Sequence, residues 1–543
     1  MSEIASHRML QTDQHWVDRL STWFADRCSP ILVKEARQAM KSWHFQWTFM
    51  MLLLAVVAWS FMGISIALFN DETQESGGML MAGYMVILGF PLAIVLPLAS
   101  FRSLAREFDD ETIQLLSITT LSARRIVLGK LGSAALQMVI YMSAVVPCVA
   151  FSYLLRGIDL TQIAMLLLVP AVSSMSLCCL GLMLAGFARF NWLAILLNLA
   201  LMAGVVACYF GWCGFNTEFY RAAGSSDMIF GTLMVLSLFI GTGYVAFECA
   251  TSLISFPSED RSSRIRVAIS LQLLLAIAAF SAFMYVSAPQ NNSFRAEIFV
   301  FGYSTCITHY LCLVGAMMVS EQTGMSYRVR RGLPTSLLGR LLWGLYVPGP
   351  GRGYLYALSG IGCWNLGILL LLRMDAQVGL FEVSGIQYSQ YMPLAINFLF
   401  GTIYLTMVYL FMLFCGRWIK YGRQLVGALL VVVMYMMMAI ITTTIDAFLF
   451  WDRSYYNNSW SGVAQHANWP YVLGRLGSSA SDFEATAVVG SIGAIFLAMI
   501  GCGFALREWV ISPVMVPQRV QDEDKRRAMT QAELNKMDGV SLK

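Results

Sequence analysis

Few residues of this chain could do chemistry inside the apolar setting that surrounds them. Glu248, His309, Arg373 and Asp446 each stand within or at the end of a long apolar run. An ionisable group in such a run is costly and marks a substrate path, a proton relay or a paired structural charge. Glu248, toward the inner end of its run, is the first candidate for a substrate or proton role, with a carboxyl hydrogen-bonded inside the bundle as the plain alternative. His309, near the middle of its run, fits either a polar site or simple packing. Other chemistries are missing. The sequence contains no His-Glu-x-x-His and no Gly-x-Ser-x-Gly, and Gly129-Lys130-Leu131 lacks the upstream glycine and the hydroxyl of a nucleotide-binding loop. No Cys-x-x-Cys joins the twelve cysteines, and neither a disulfide framework nor a metal site is expected. The run Met434-Tyr435-Met436-Met437-Met438 reads as adaptable packing, because no Met/His cluster outside the apolar runs accompanies it. Nothing points to an enzyme, and no cofactor is expected on this chain.

A second kind of chemistry is docking. The charged string Arg106-Glu107-Phe108-Asp109-Asp110-Glu111 leads into a small apolar stripe. Phe108, Thr112, Leu115, Leu116 and Thr119 fall on one face of a short helix over about 106–119, whose acidic start suits the positive end of a helix dipole. An apolar face on a charged loop needs a partner, which is either a groove on a soluble protein or the bilayer surface. Ser122 is placed to cap the next helix, with Arg124, Arg125 and Lys130 holding its start at an anionic leaflet.

The elements that must position these residues are read from composition. Of 543 residues 58% are hydrophobic and only 13% charged, against about 25% charged in a soluble protein. The mean hydropathy is +0.64. Apolar runs of about 20 residues predict helical spans at 46–69, 79–101, 126–155, 162–188, 191–215, 229–257, 267–288, 297–320, 353–374, 391–415, 424–449 and 485–507. With a cytoplasmic N-terminus, 30 of the 36 Lys and Arg residues, including every lysine, fall on the cytoplasmic side, and only Arg156, Arg221, Arg295, Arg373, Arg453 and Arg475 fall outside. That asymmetry predicts a multi-pass protein of the cytoplasmic (inner) membrane with both termini in the cytoplasm. The net charge of +4 gives no reason to expect nucleic acid.

Residues 1–45 do not read as a signal peptide and are expected to stay on the mature chain. Within them, Pro30 to Trp43 has Leu32, Val33, Ala36, Ala39, Met40 and Trp43 on one helical stripe with Lys34, Arg37 and Lys41 opposite, an interfacial pattern that Trp43 and Trp47 would anchor at headgroup level. Twelve spans suggest two six-span halves, 46–257 and 258–507, followed by a mixed-charge cytoplasmic tail at 508–543. The outer stretch 450–484 carries Trp451, Tyr455, Tyr456, Trp460, Trp469 and Tyr471 and reads as a lid or aromatic belt on the outer surface.

The string Arg-Glu-x-x-x-x-Thr-x-x-Leu-Leu-x-x-x-x-Leu-Ser-x-x-x-Ile-x-x-Gly-Lys, from Arg106 to Lys130, resembles the segment after the second span in permease subunits of the ABC-2 family. Pro30 to Trp43 resembles the elbow helix of that family. The resemblance runs over residues 30–155 and, on topology, to about 257. It implies an ATP-driven transporter, usually an exporter, in which a coupling helix docks on a separate ATPase chain that holds ATP and magnesium. Glu107, Phe108, Thr112, Leu115, Leu116, Thr119, Leu121, Ser122 and Lys130 would form the docking segment. Thr120 stands where a proline is frequent and Asp110 where a glycine is frequent.

The loop 321–353 of the second half lacks this string and carries Arg328, Arg330, Arg331, Arg340 and Arg352 among prolines and glycines. It is either a basic loop lying on the membrane or a diverged second coupling element. In the first case the module of residues 46–257 would pair with a second permease chain; in the second, one chain would supply both halves. An ion-coupled secondary transporter and a non-transporting membrane scaffold are the rival readings of twelve spans in two halves.

Overall fold

A backbone amide or carbonyl in hydrocarbon finds no water, so a chain of this composition pairs its own backbone by coiling into helices. The computed structural model describes residues 30–69, 76–110, 122–154, 159–188, 191–221, 226–256, 259–287, 293–322, 324, 329, 331, 333, 334, 336–378, 392–419, 422–449, 469 and 484–511. Among them all regular structure is helical, and twelve helices are long and apolar enough to cross a membrane. The protein is an all-α polytopic membrane protein, as its composition predicts.

The spans are α2 (Trp43–Phe69); α3 (Ser76–Phe90) with α4 (Leu96–Asp109), which form one rod; α5 (Ala123–Leu154); α6 (Leu160–Phe187); α7 (Asn191–Arg221) and α8 (Ser226–Ile254). They continue as α9 (Ser263–Ser287), α10 (Ser293–Val319), α12 (Pro350–Val378), α13 (Met392–Cys415), α14 (Arg423–Leu449) and α15 (Glu484–Ile511). Two further helices do not span, the leading α1 (Pro30–Lys41) and the short α11 (Leu337–Gly344). The leading helix stops at Lys41, two residues before the predicted end, because Ser42 starts a new one. The Ser42 hydroxyl donates to Ala39 O at 2.7 Å and accepts from Phe45 N–H at 3.3 Å, so it closes α1 and caps α2. Trp43 and Trp47 are both exposed on the first turns of α2.

The second span is not a plain α-helix. Pro91 removes an amide from the ladder, and the rod passes through a π-helical turn, Pro91–Val95, closed by Leu96 N–H donating to Pro91 O. Neighbouring spans cover carbonyls in and before that turn: Ser174 donates to Leu92 O at 2.7 Å, Trp212 to Met85 O at 3.1 Å and Tyr209 to Val86 O at 3.3 Å. Side chains of other helices supply the partners that lipid cannot.

The chain divides into two compact units, Met1–Ser255 with Val267–Gln290, and Phe256–Arg266 with Asn291–Lys543. Beyond its first turn, the seventh span therefore groups with the first unit rather than opening the second half. Within each unit the packing follows one scheme. In the first unit, the second span packs on the third, fourth and fifth, the third on the fourth and sixth, and the fourth on the fifth and sixth. In the second unit, the eighth packs on the ninth, tenth and eleventh, the ninth on the tenth and twelfth, and the tenth on the eleventh and twelfth. Each of these pairs recurs six spans later, so spans two to six and eight to twelve share one packing scheme, while the first span's packing on the second and third has no equally extensive counterpart at the seventh.

Close approach of these helices depends on glycine. A Cβ on Gly181 of α6 would stand 2.7 Å from Pro97 O, and one on Gly353 of α12 would stand 2.8 Å from Met318 O. Both obstacles are backbone atoms and cannot swing aside. Gly181→Leu and Gly353→Leu are each expected to destabilise the protein by about 1–3 kcal/mol, read as a lower midpoint of thermal unfolding in detergent. A Cβ on Gly204 or Gly211 would meet nothing within 4 Å, so Gly204→Ala and Gly211→Ala should not lower that midpoint.

Candidate functional site

The junction of α1, α4 and α5 is organised around Lys130. This lysine stands in the third turn of α5 with only 3% of its side chain exposed. An ammonium taken out of water needs full pairing, and it finds it: Nζ donates to Glu107 Oε1 at 2.8 Å, to Ser103 Oγ at 2.8 Å and to Glu35 Oε1 at 3.2 Å. Glu107 and Ser103 come from the end of α4 and Glu35 from α1. One ammonium thus ties the leading helix to the second and third spans. Two glycines on α5 make the approach possible, because a Cβ on Gly129 would stand 2.8 Å from Ile31 Cγ2 and one on Gly132 2.6 Å from Leu32 Cδ1.

This brings together two residues of the predicted docking segment, Glu107 and Lys130, but changes the role of its first turn. Arg106, Glu107 and Phe108 belong to the last turn of α4, so the acidic residues there stand at a helix C-terminus, not at the start of a separate helix. The helix runs on because its apolar stripe does: Phe101 and Leu104 are buried and Phe108 packs against the same core. Phe108 is therefore partly turned inward. Ser122 is exposed at the position just before α5, where its carbonyl accepts from Arg125 and Ile126. Thr112, Leu115, Leu116, Thr119 and Leu121 lie outside the described residues, as do residues 1–29 and the tail from 512.

Glu248 is 2% exposed near the end of α8 and meets Arg124, the second residue of α5, at 3.3 Å. The Arg124 guanidinium also lies over the Phe247 ring, 5.5 Å from its centroid. Of the alternatives for Glu248, the paired carboxyl is the arrangement seen. The second unit repeats it. Glu508, near the end of α15, accepts from Gly351 N–H at 2.8 Å and interacts electrostatically with Arg352, the third residue of α12. Arg352 lies over the Trp509 ring at 5.6 Å. In both units an arginine opening the third span of the half meets a carboxylate closing the sixth, with an aromatic neighbour beneath the guanidinium. Sequence reasoning missed Glu508, which fell one residue past the predicted span; the signal was a carboxylate flanking an aromatic at a span end in both halves.

Arg266 is the other buried charge. It has no exposed side chain and donates to Glu321 Oε2 at 2.9 Å and to the carbonyls of Val347 at 2.6 Å and Leu345 at 2.7 Å. Glu321 also accepts from Gly349 N–H at 2.9 Å and from the Ser262 hydroxyl. Gly349 has φ +142°, a conformation side chains avoid, which lets the chain turn into α12 against this pair. Arg352, placed by the sequence in a loop read as membrane-lying or as a second coupling element, is 7% exposed and part of this interior. Arg328 and Arg330 lie outside the described residues, and the side chains of Arg340, Arg373 and Asp446 are not described.

His309 stands in α10 with Nδ1–H donating to Thr305 O at 2.8 Å. Its ring stacks at 4.1 Å on Trp469, the one described residue of the outer aromatic stretch. Glu248 and His309, the two predicted intramembrane polar residues, belong to different units and each has its own partners. Among the described residues no group of three His, Cys, Asp or Glu side chains could hold a metal, and the eleven described cysteines are free. Compared with models of protein families, with curated proteins and with solved structures, the chain matches none.

Removing Lys130 leaves two carboxylates facing each other in a site with little water. Lys130→Met should cost about 3 kcal/mol, read as a lowered unfolding midpoint, and adding Glu107→Gln should recover part of the loss. Arg352→Ala should lower that midpoint more than Arg124→Ala, because Arg352 is 7% exposed and Arg124 48%.

Proposed function

We propose that this chain is the membrane-spanning permease subunit of an ATP-driven, ABC-2 type transporter that exports its substrate across the cytoplasmic membrane, with both termini in the cytoplasm. ATP and magnesium are held by a separate ATPase chain. The observation that carries the reading is the string from Arg106 to Lys130, whose flanks meet in a 2.8 Å ion pair. The residues on either side of 111–121 are thereby pinned to each other and, through Glu35, to the leading helix. Force applied to the apolar residues Leu115, Leu116 and Leu121 by the ATPase is delivered to the second and third spans together.

In this reading the chain performs no bond chemistry. Docking does work only if the segment binds the two conformations of the ATPase with different affinity, and shifting a two-state population from 1:99 to 99:1 takes about 5.5 kcal/mol of such difference. The repeated packing scheme supports a single chain that supplies both membrane halves. The second half then docks through α11, which stands after the eighth span as residues 111–121 stand after the second. Ser336 caps this helix by accepting from Gly339 N–H at 3.2 Å, and Leu338, Leu342 and Trp343 are exposed on it.

The chain, tagged and solubilised from its native membrane in mild detergent, is expected to co-isolate with a P-loop ATPase. Leu115→Asp with Leu116→Asp should cut the recovered ATPase at least about tenfold, since each buried carboxylate adds a desolvation cost of several kcal/mol, while protease protection shows the spans still inserted. A doubly substituted chain that keeps its partner, or a wild-type chain that brings down no ATPase, overturns the proposal.

A further inference from the structure

Trp469 follows the eleventh span in sequence, yet its side chain is fully buried within the second unit. The surroundings treat it as a pocket treats a ligand. The His309 ring stacks on the indole at 4.1 Å and 21°, and Phe400 runs parallel to it at 5.9 Å and 11°. Tyr404 and Tyr435 meet it at 5.7 and 5.6 Å. Its one hydrogen-bond donor, Nε1–H, is taken by Asn397 Oδ1 at 3.1 Å. The acceptor is itself fixed, because Asn397 Nδ2 donates to Thr305 Oγ1 at 3.1 Å while His309 Nδ1–H holds the Thr305 carbonyl. Every group that recognises the indole comes from α10, α13 or α14. An apolar, aromatic lining with one or two oriented polar groups is how binding sites for small planar molecules are built.

The lining offers more than Trp469 uses. Tyr404 is 2% exposed, and its hydroxyl has no hydrogen-bond partner among the described residues. A buried hydroxyl left so costs about 1–3 kcal/mol, and lipid cannot relieve it. Trp469 has already given its only N–H to Asn397 and leaves the Tyr404 hydroxyl unmet.

We propose that α10, α13 and α14 form an intramembrane binding site for an indole-sized planar aromatic carrying a hydrogen-bond donor, and that Trp469 fills this site as an internal competitor. The site does not depend on whether an ATPase drives the chain. An external ligand binds by displacing the indole, so its apparent affinity is reduced by the fraction of time that Trp469 occupies the site.

The test uses the full-length protein in detergent and radiolabelled indole, with unlabelled indole as competitor, measured by equilibrium dialysis. The wild-type chain is expected to bind one indole saturably. Trp469→Phe keeps a ring in place but removes the N–H that Asn397 accepts; it weakens the internal competitor and should tighten indole binding about fivefold. Asn397→Leu placed on Trp469→Phe should lose that gain and more. No saturable binding by either chain, equal affinity in wild type and Trp469→Phe, or binding indifferent to Asn397→Leu overturns the proposal. If Asn397→Leu does not fold, the first two measurements decide it.

Discussion

Lys130 brings a positive charge into a nearly water-free site, and two carboxylates and a hydroxyl meet it there. Little else in the first unit constrains the fold as tightly, because the partners come from three different elements. Glu35 must arrive on the leading helix, Glu107 and Ser103 on the second span, and the lysine itself on the third. Pairing the charge therefore fixes the angle and depth of all three helices at once. Glu248 with Arg124, Glu508 with Arg352 and Glu321 with Arg266 are solutions of the same problem. In each, a charge that cannot be solvated is met by one from another helix.

The two units reach one packing scheme with different chemistry. The carboxylate at the exit of the second span, Glu107, meets a lysine on the third; its counterpart at the exit of the eighth, Glu321, meets Arg266 from the first turn of the seventh. The first unit has a leading helix at this place, whereas the second has the carbonyls of Leu345 and Val347 wrapped around a guanidinium. The glutamate at the span exit keeps its identity while its partner changes; the arginine opening the third span of each half and the glutamate closing the sixth both keep theirs. A packing scheme that is kept while its charged partners are exchanged leaves little trace in sequence, which is why only span spacing suggested two halves.

The spans were legible because hydrocarbon imposes one rule along the whole chain, and most of the observed helices begin and end within a few residues of the apolar runs, the second running eight residues past its predicted end. Harder to read was anything decided by a partner far away in sequence. The continuation of α4 through Phe108 depends on a core it shares with other spans, and Arg352 is buried where it interacts with Glu508, more than 150 residues later. Trp469 looked like one more aromatic of an outer belt; what distinguishes it is Asn397 on another helix. Lys130 could be picked out by its motif, while its principal carboxylate partners could be found only once three helices were placed together.

The π-helical turn at Pro91–Val95 has a consequence for everything that follows it in the second span. A π turn adds one residue to the α-helical count, and each residue of an α-helix advances about 100° around the axis and about 1.5 Å along it. The lower part of the rod is therefore out of phase with the upper part by that step. Phe101 and Leu104 face their core, and Glu107 faces Lys130, in the phase the extra residue sets. Closing the π turn into an ordinary one would rotate Glu107 roughly a quarter of a revolution away from the lysine. The second span is thus built like a crankshaft: its two ends are a single rigid rod, yet the bearing on which the far end turns lies in the middle of the membrane.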